Sequence, residues 1–194
     1  MRKLIDLHLH LDGSVPVATV KKLMKEHNMP ALSDEELRQE LSVDSSCKSL
    51  DQFLEKFALP NKLMQTRHDL KTIVYDLLVE LKQQGLVYAE IRFAPQLHTK
   101  KGLTQEDAIE AVISGLNKFL ADQKKQKTLP ELHAGLILCL MRFADNQKQN
   151  METVKLAKKF LGKGVVGLDL AGAEGPIPNI KYKSFFDKAK KLDV

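Results

Sequence analysis

The chain has 194 residues, 43% apolar and 28% charged, which is enough to bury one core and too mixed for a disordered tail or a collagen-like fibre. Its two cysteines, Cys47 and Cys139, lie outside any C-x-x-C pattern. This argues against a disulfide framework or a thiolate zinc site and for a reducing, cytoplasmic setting. Thirty Lys and Arg against 25 Asp and Glu leave a formal charge of +5. The lysines cluster at 124–127 and 181–191 with only Tyr182, Phe185 and Phe186 to stack on bases, so they read as solvated helix faces and no nucleic-acid partner is expected. Charge within Met1 to Asp6 is wrong for a signal peptide, and the longest apolar run, 134–141, is too short to cross a bilayer, so no membrane partner is expected either.

In chain order, a first strand is expected at 4–10. There Ile5, Leu7, Leu9 and Leu11 alternate with Asp6, His8, His10 and Asp12, placing an aliphatic set on one face and an ionisable set on the other. A long insertion follows, at about 14–66, with helical pieces near 17–26, 34–41 and 50–57 and punctuation at 28–30 and at Pro60-Asn61. Within it Leu50, Phe53, Leu54 and Phe57 have i, i+3, i+4, i+7 spacing, an apolar helix face for which core packing is the default. Beyond the insertion, helices at 69–84, 104–122, 151–161 and 183–192 alternate with strands at 87–93, 132–141 and 165–171. Four such alternations are the signature of parallel βα units, an α/β fold. A complete (β/α)8 TIM-type barrel takes about 250 residues, so four units correspond to about half of one. No linker or composition shift marks a second domain.

Four titratable side chains on one face of a helix-covered parallel strand carry a large desolvation cost unless something pairs with them, and a metal ion is the economical partner. His8 and His10, two apart on a strand, can converge on one ion. If the strand were instead antiparallel with one solvated face, the same histidines would be decoration. Asp12-Gly13 falls where a barrel strand ends and active-site groups gather. On the second strand Glu90 and Arg92 share a face and are expected to pair inside the barrel. His27, His68, His98 and His133 read as surface or locally hydrogen-bonded histidines. Asp169 reads equally as a structural carboxylate or as a hydrogen-bonding group near a ligand.

The segment His8-Leu9-His10-Leu11-Asp12-Gly13 resembles the opening motif of the adenosine deaminase family within the amidohydrolase superfamily. Residues 50–57 resemble that family's lid helix, Tyr88-Ala89-Glu90-Ile91-Arg92-Phe93-Ala94-Pro95 its second strand, and Gly167-Leu168-Asp169-Leu170-Ala171-Gly172 its fourth. The resemblance implies a (β/α)8 barrel holding one Zn2+, with a purine nucleoside substrate, adenosine or deoxyadenosine, converted to the inosine form with release of ammonia. By motif, His8 and His10 would be zinc ligands, with His10 also beside the substrate. Asp12 would accept a hydrogen bond from the ribose 5′-hydroxyl, and Gly172 would meet the purine through its backbone. The family's third histidine ligand, its His-Ala-Gly-Glu motif with the proton-transferring glutamate, a further histidine and an aspartate pair would lie beyond Val194. No catalytic residue is therefore expected within this chain, and the isolated chain is expected to be inactive. Ala173 stands where the common form of the motif has an acid. Two other readings are deamination of another 6-aminopurine, such as adenine or a modified adenosine, and a truncated, catalytically dead interaction module. A half-barrel would leave the strand edges at 4–10 and 165–171 unpaired and open to self-association.

Overall fold

A computed structural model describes residues 3–127, 130–175 and 177–194; Met1 and Arg2 of the charged start lie outside the described residues. Four strands organise it: β1 (Leu4–His10), β2 (Leu86–Phe93), β3 (His133–Met141) and β4 (Val165–Ala171), hydrogen-bonded in chain order. All neighbouring pairs are parallel, so every connection must carry a helix back across the sheet. These helices are α5 (Arg67–Gln83), α6 (Gln105–Gln126) and α7 (Gln147–Phe160), with α8 (Lys183–Lys191) after β4. The strand bounds agree with the sequence expectation to within one residue. Leu132 falls outside β3 because the Gln123 side chain captures its backbone, donating to its carbonyl at 2.8 Å and accepting its N–H at 3.0 Å.

Between β1 and α5 lie α1 (Val17–Glu26), α2 (Asp34–Leu41), α3 (Leu50–Glu55) and α4 (Ala58–Leu63). The last corrects an expectation: Pro60-Asn61 does not punctuate the chain but sits inside α4. Pro60 occupies the first turn, where its missing N–H forfeits no intrahelical bond. The carbonyl of Pro60 accepts the Met64 N–H at 3.0 Å, closing the turn.

The core lies between the sheet and its covering helices. It joins Leu70, Ile73, Val74 and Leu78 of α5 and Ile109, Val112 and Leu116 of α6 to Ala89, Ile91, Leu136 and Leu138 of the strands. A smaller cluster sets Tyr182, Phe185 and Ala189 against Leu140 and Val154. The aliphatic set of β1 is covered only at one end: Leu11 is fully buried, whereas Ile5 is 63% and Leu7 55% exposed. β1 is an outer strand of the sheet, and among the described residues nothing packs on that part of it.

Candidate active site

β1 is not regular. Asp6 pairs with Ala89 and Leu9 with Ile91, so three steps along β1 match two along β2 and one residue is bulged out between them. Side chains satisfy two backbone groups there. The His8 N–H donates to Asp6 Oδ1 at 2.8 Å, and the Leu7 carbonyl accepts from Arg92 Nη2 at 2.8 Å. Asp6 thus does local work for the strand. Bulges re-aim side chains near strand ends; His8 lies within this one and His10 just after it, and their rings stand with centroids 5.4 Å apart, tilted by 42°.

His8 is exposed and His10 half-buried. Burial, and then the neighbouring Arg92 and His8, hold the His10 imidazole below its ordinary pKa. A lowered pKa favours the unprotonated ring, whose free lone pair is what metal ligation needs. Phe57 stands edge-on to His10 at 6.1 Å and edge-on to Phe53 at 5.4 Å. No residue of α3 is buried, and Leu50 and Phe53 are 48% and 42% exposed. The apolar stripe of 50–57 therefore does not pack into the core as its spacing suggests; its last aromatic lies over the end of β1. Gly13 makes this approach possible, because a Cβ there would fall 2.9 Å from Phe57 Cε1.

Asp12 is 7% exposed. Its Oδ2 accepts from Asn61 Nδ2 at 3.2 Å, and Asn61 also donates to the Phe57 carbonyl at 3.0 Å. Burial raises the Asp12 pKa, and the Asn61 hydrogen bond opposes the rise. Asp12, Gly13, Phe53, Lys56, Phe57 and Pro60 line part of a cavity of about 190 Å³.

Arg92 does not pair with Glu90, as the shared face suggested. Its guanidinium forms an ion pair with Asp169 of β4, while Glu90 accepts from the Tyr88 hydroxyl at 3.2 Å. In a coiled parallel sheet, inward side chains from alternate strands stack in one layer, so β2 meets β4 across the intervening strand. Cys139, in register with Asp169, is buried, and burial followed by the Asp169 charge raises its thiol pKa, which keeps it unreactive. Just after β4, at the same C-terminal end of the parallel sheet as His10, Gly172 has φ +105°, a conformation side chains rarely adopt. Ala173 follows it.

Residues 4–194 match the family model described as adenosine deaminase. The chain belongs to the adenosine deaminase family. It is 47% identical over 195 residues to an adenosine deaminase of Haemophilus ducreyi, covering 98% of this chain and 55% of that protein. It is 41% identical over 189 residues to one of Clostridium botulinum, covering 96% of this chain and 55% of that protein. The crystal structure of Arabidopsis ADAL complexed with IMP aligns with a TM-score of 0.78 at 26% identity, over 98% of this chain and 56% of that one. The chain therefore spans about half the length of the curated relatives it matches, and its parallel sheet corresponds to the first βα units of a TIM-barrel deaminase.

The remaining histidines divide. His27 lies 3.1 Å from Asp69 and His68 3.2 Å from Glu26, two pairings that link the end of α1 to the start of α5, and His133 is exposed beside Glu131. Glu26, His68 and Asp69 bring one ligand atom each within 4.8 Å of one another, but the Asp69 carboxylate already holds Thr66 Oγ1 at 2.6 Å as well as His27. His98 differs from expectation. It is fully buried, because the 3₁₀ turn Pro95–His98 folds its ring onto Phe93, centroids 5.9 Å apart. Burial pushes its pKa down to about 4; the Met64 backbone pulls the other way, yet neither ring nitrogen finds a hydrogen-bond partner among the described residues. Sequence reasoning also passed over Asn61, whose proline neighbour reads as a break.

Proposed function

We propose that the protein carrying this chain is a zinc-dependent adenosine deaminase, converting adenosine or deoxyadenosine to inosine or deoxyinosine and ammonia. On this reading residues 1–194 supply the N-terminal half of one barrel domain, with the helical insertion at about 14–66. The observation that carries it is the adjacency of the His8 and His10 rings, with the buried Asp12 carboxylate two residues further on, in a chain 47% identical to an adenosine deaminase.

Two imidazoles at one strand end, the inner one with its pKa lowered by burial, fit as part of a zinc donor set. His8 and His10 would hold the ion. Zinc, when bound, supplies an activated water for attack at C6 of the purine. His10 also borders the substrate. Asp12, aimed by Asn61, accepts the ribose 5′-hydroxyl, and Gly172 offers its backbone to the purine where a side chain would obstruct. We assign proton transfer to no residue of 1–194; in the family pattern it falls to the other half of the barrel.

The likeness to an IMP-bound structure raises a nucleotide substrate as a second reading. The buried Asp12 carboxylate argues for the nucleoside, since a 5′-phosphate beside it sets like charges together. Among the described residues no helix is long and apolar enough to cross a membrane, and a cytoplasmic location is part of this proposal. So is self-association of the isolated chain through its outer strands, where Leu4, Ile5 and Val166 are 46%, 63% and 47% exposed.

The test is ammonia release from adenosine, adenine and AMP by the 194-residue chain, alone and joined to the C-terminal portion of the Haemophilus ducreyi relative. The expected result is negligible activity alone and adenosine-selective activity when joined. Preference for adenine or AMP in the joined form would overturn the substrate assignment.

A further inference from the structure

Arg142, directly after β3, is held at its base and reaches out to a loop. The preceding residue is pinned: the Met141 N–H donates to Asn150 Oδ1 at 2.9 Å, and the Met141 carbonyl accepts from Asn146 and Asn150 at 2.9 and 3.0 Å. Asn146 and Asn150 are 7% and 0% exposed, so this anchor is rigid. From it the Arg142 backbone N–H donates to the Ala171 carbonyl at 3.0 Å. Its guanidinium donates to Glu174 Oε1 at 3.0 Å and to Asn179 Oδ1, and lies 5.8 Å from the ring centre of the buried Tyr182. One arginine thus touches residues on both sides of Gly172. A Cβ on Gly172 would fall 3.3 Å from Arg142 Cβ, so the arginine backs that glycine directly.

The Arg142 side chain is 5% exposed, against 73% for Glu174, and its Nε is buried with no hydrogen-bond partner among the described residues. Burying a guanidinium for a solvated carboxylate costs stability that an aliphatic side chain would not. The fold alone gives no reason for arginine here. A planar fork that holds two acceptors in fixed geometry does.

We propose that Arg142 is a positioning residue that grips the loop after β4 and so fixes the backbone of Gly172 against the ring of a flat heteroaromatic ligand. The ligand half rests on the nucleoside reading above; the grip does not.

The experiment measures amide hydrogen exchange at 172–175 and the affinity for inosine, which has no amino group to lose. It compares the full polypeptide with its Arg142→Met and Arg142→Lys variants, with zinc content as a control. Arg142→Met should accelerate exchange at 172–175 about tenfold and weaken inosine about tenfold at unchanged zinc content, since small misplacements of a binding group are costly. Arg142→Lys, which keeps the charge without the fork, should recover part of both. Glu174→Gln, a change on an exposed side chain that leaves the core intact, should give a smaller acceleration and serves if Arg142→Met fails to fold. Unchanged exchange in these variants overturns the grip, and faster exchange with unchanged inosine affinity overturns the positioning role. Failure of the unmutated protein to bind inosine overturns the nucleoside reading and the ligand half, while exchange still decides the grip.

Discussion

Replacing Arg92 by methionine tests the interior layer that ties the strands together. Arg92 is 9% exposed, Asp169 36%, and the same guanidinium satisfies the Leu7 carbonyl in the β1 bulge at 2.8 Å. Breaking a fully buried ion pair by removing one partner costs about 3–5 kcal/mol. Because Asp169 is more than a third exposed, water recovers part of that loss. The Leu7 carbonyl adds about 1.5–3 kcal/mol for a lost bond to a charged donor, less whatever water reaches it at the exposed strand. A net loss of about 3 kcal/mol follows, which for a chain of this size lowers Tm by about 6–12 °C. Urea and thermal unfolding at pH 7, followed by far-UV circular dichroism, would read it. Glu90→Gln is the internal comparison and should stay within about 0.5 kcal/mol, since among the described residues Glu90 accepts from Tyr88 on its own strand. If Arg92→Met loses less than about 1 kcal/mol, or no more than Glu90→Gln, the layer does not hold β1 and β4 as described.

Burial of His98 makes stability pH-dependent. Its folded pKa of about 4 lies below the ordinary 6.5, so the unfolded chain binds the extra proton between those values. Stability is full above pH 6.5 and falls by up to about 3 kcal/mol as pH drops towards 4; His98→Gln should flatten that part of the curve, and an unchanged slope would refute it. In the complete enzyme, Asp12→Ala should raise KM for adenosine about 10- to 100-fold, the value of one hydrogen bond to a charged group. The change for 5′-deoxyadenosine should be smaller, and equal losses would sink the ribose assignment. The isolated chain, with two of an expected four ligands, should give up zinc on dialysis, so one firmly retained zinc per chain by metal analysis would mean that further ligands exist. Light scattering should find that chain associated through its outer strands, and a monodisperse monomer with protected β1 and β4 amides would contradict this.

What the sequence determined by itself is local or periodic. Strand positions came out to within one residue because each is a short stretch bounded by loops, alternating apolar and ionisable in β1 and mostly apolar in the others. The spacing of two set His8 and His10 close together on one strand, although the bulge also shapes how their rings meet. The family, too, was legible, since its motifs are contiguous segments. What tertiary structure decided depends on residues distant in sequence. An unbroken alternation in 4–12 cannot show a bulge, because the extra residue exists only relative to the register of β2. Arg92 faces Asp169 rather than Glu90 because sheet coiling stacks alternate strands, a contact spanning β3. His98 is buried, and Phe57 lies over His10 instead of in the core, because the turn after β2 and the short helix α3 are docked by the rest of the fold. The hold of Arg142 on the Gly172 loop has the same origin: loop position and side-chain reach are set by packing between βα units, and no pattern within either unit encodes it.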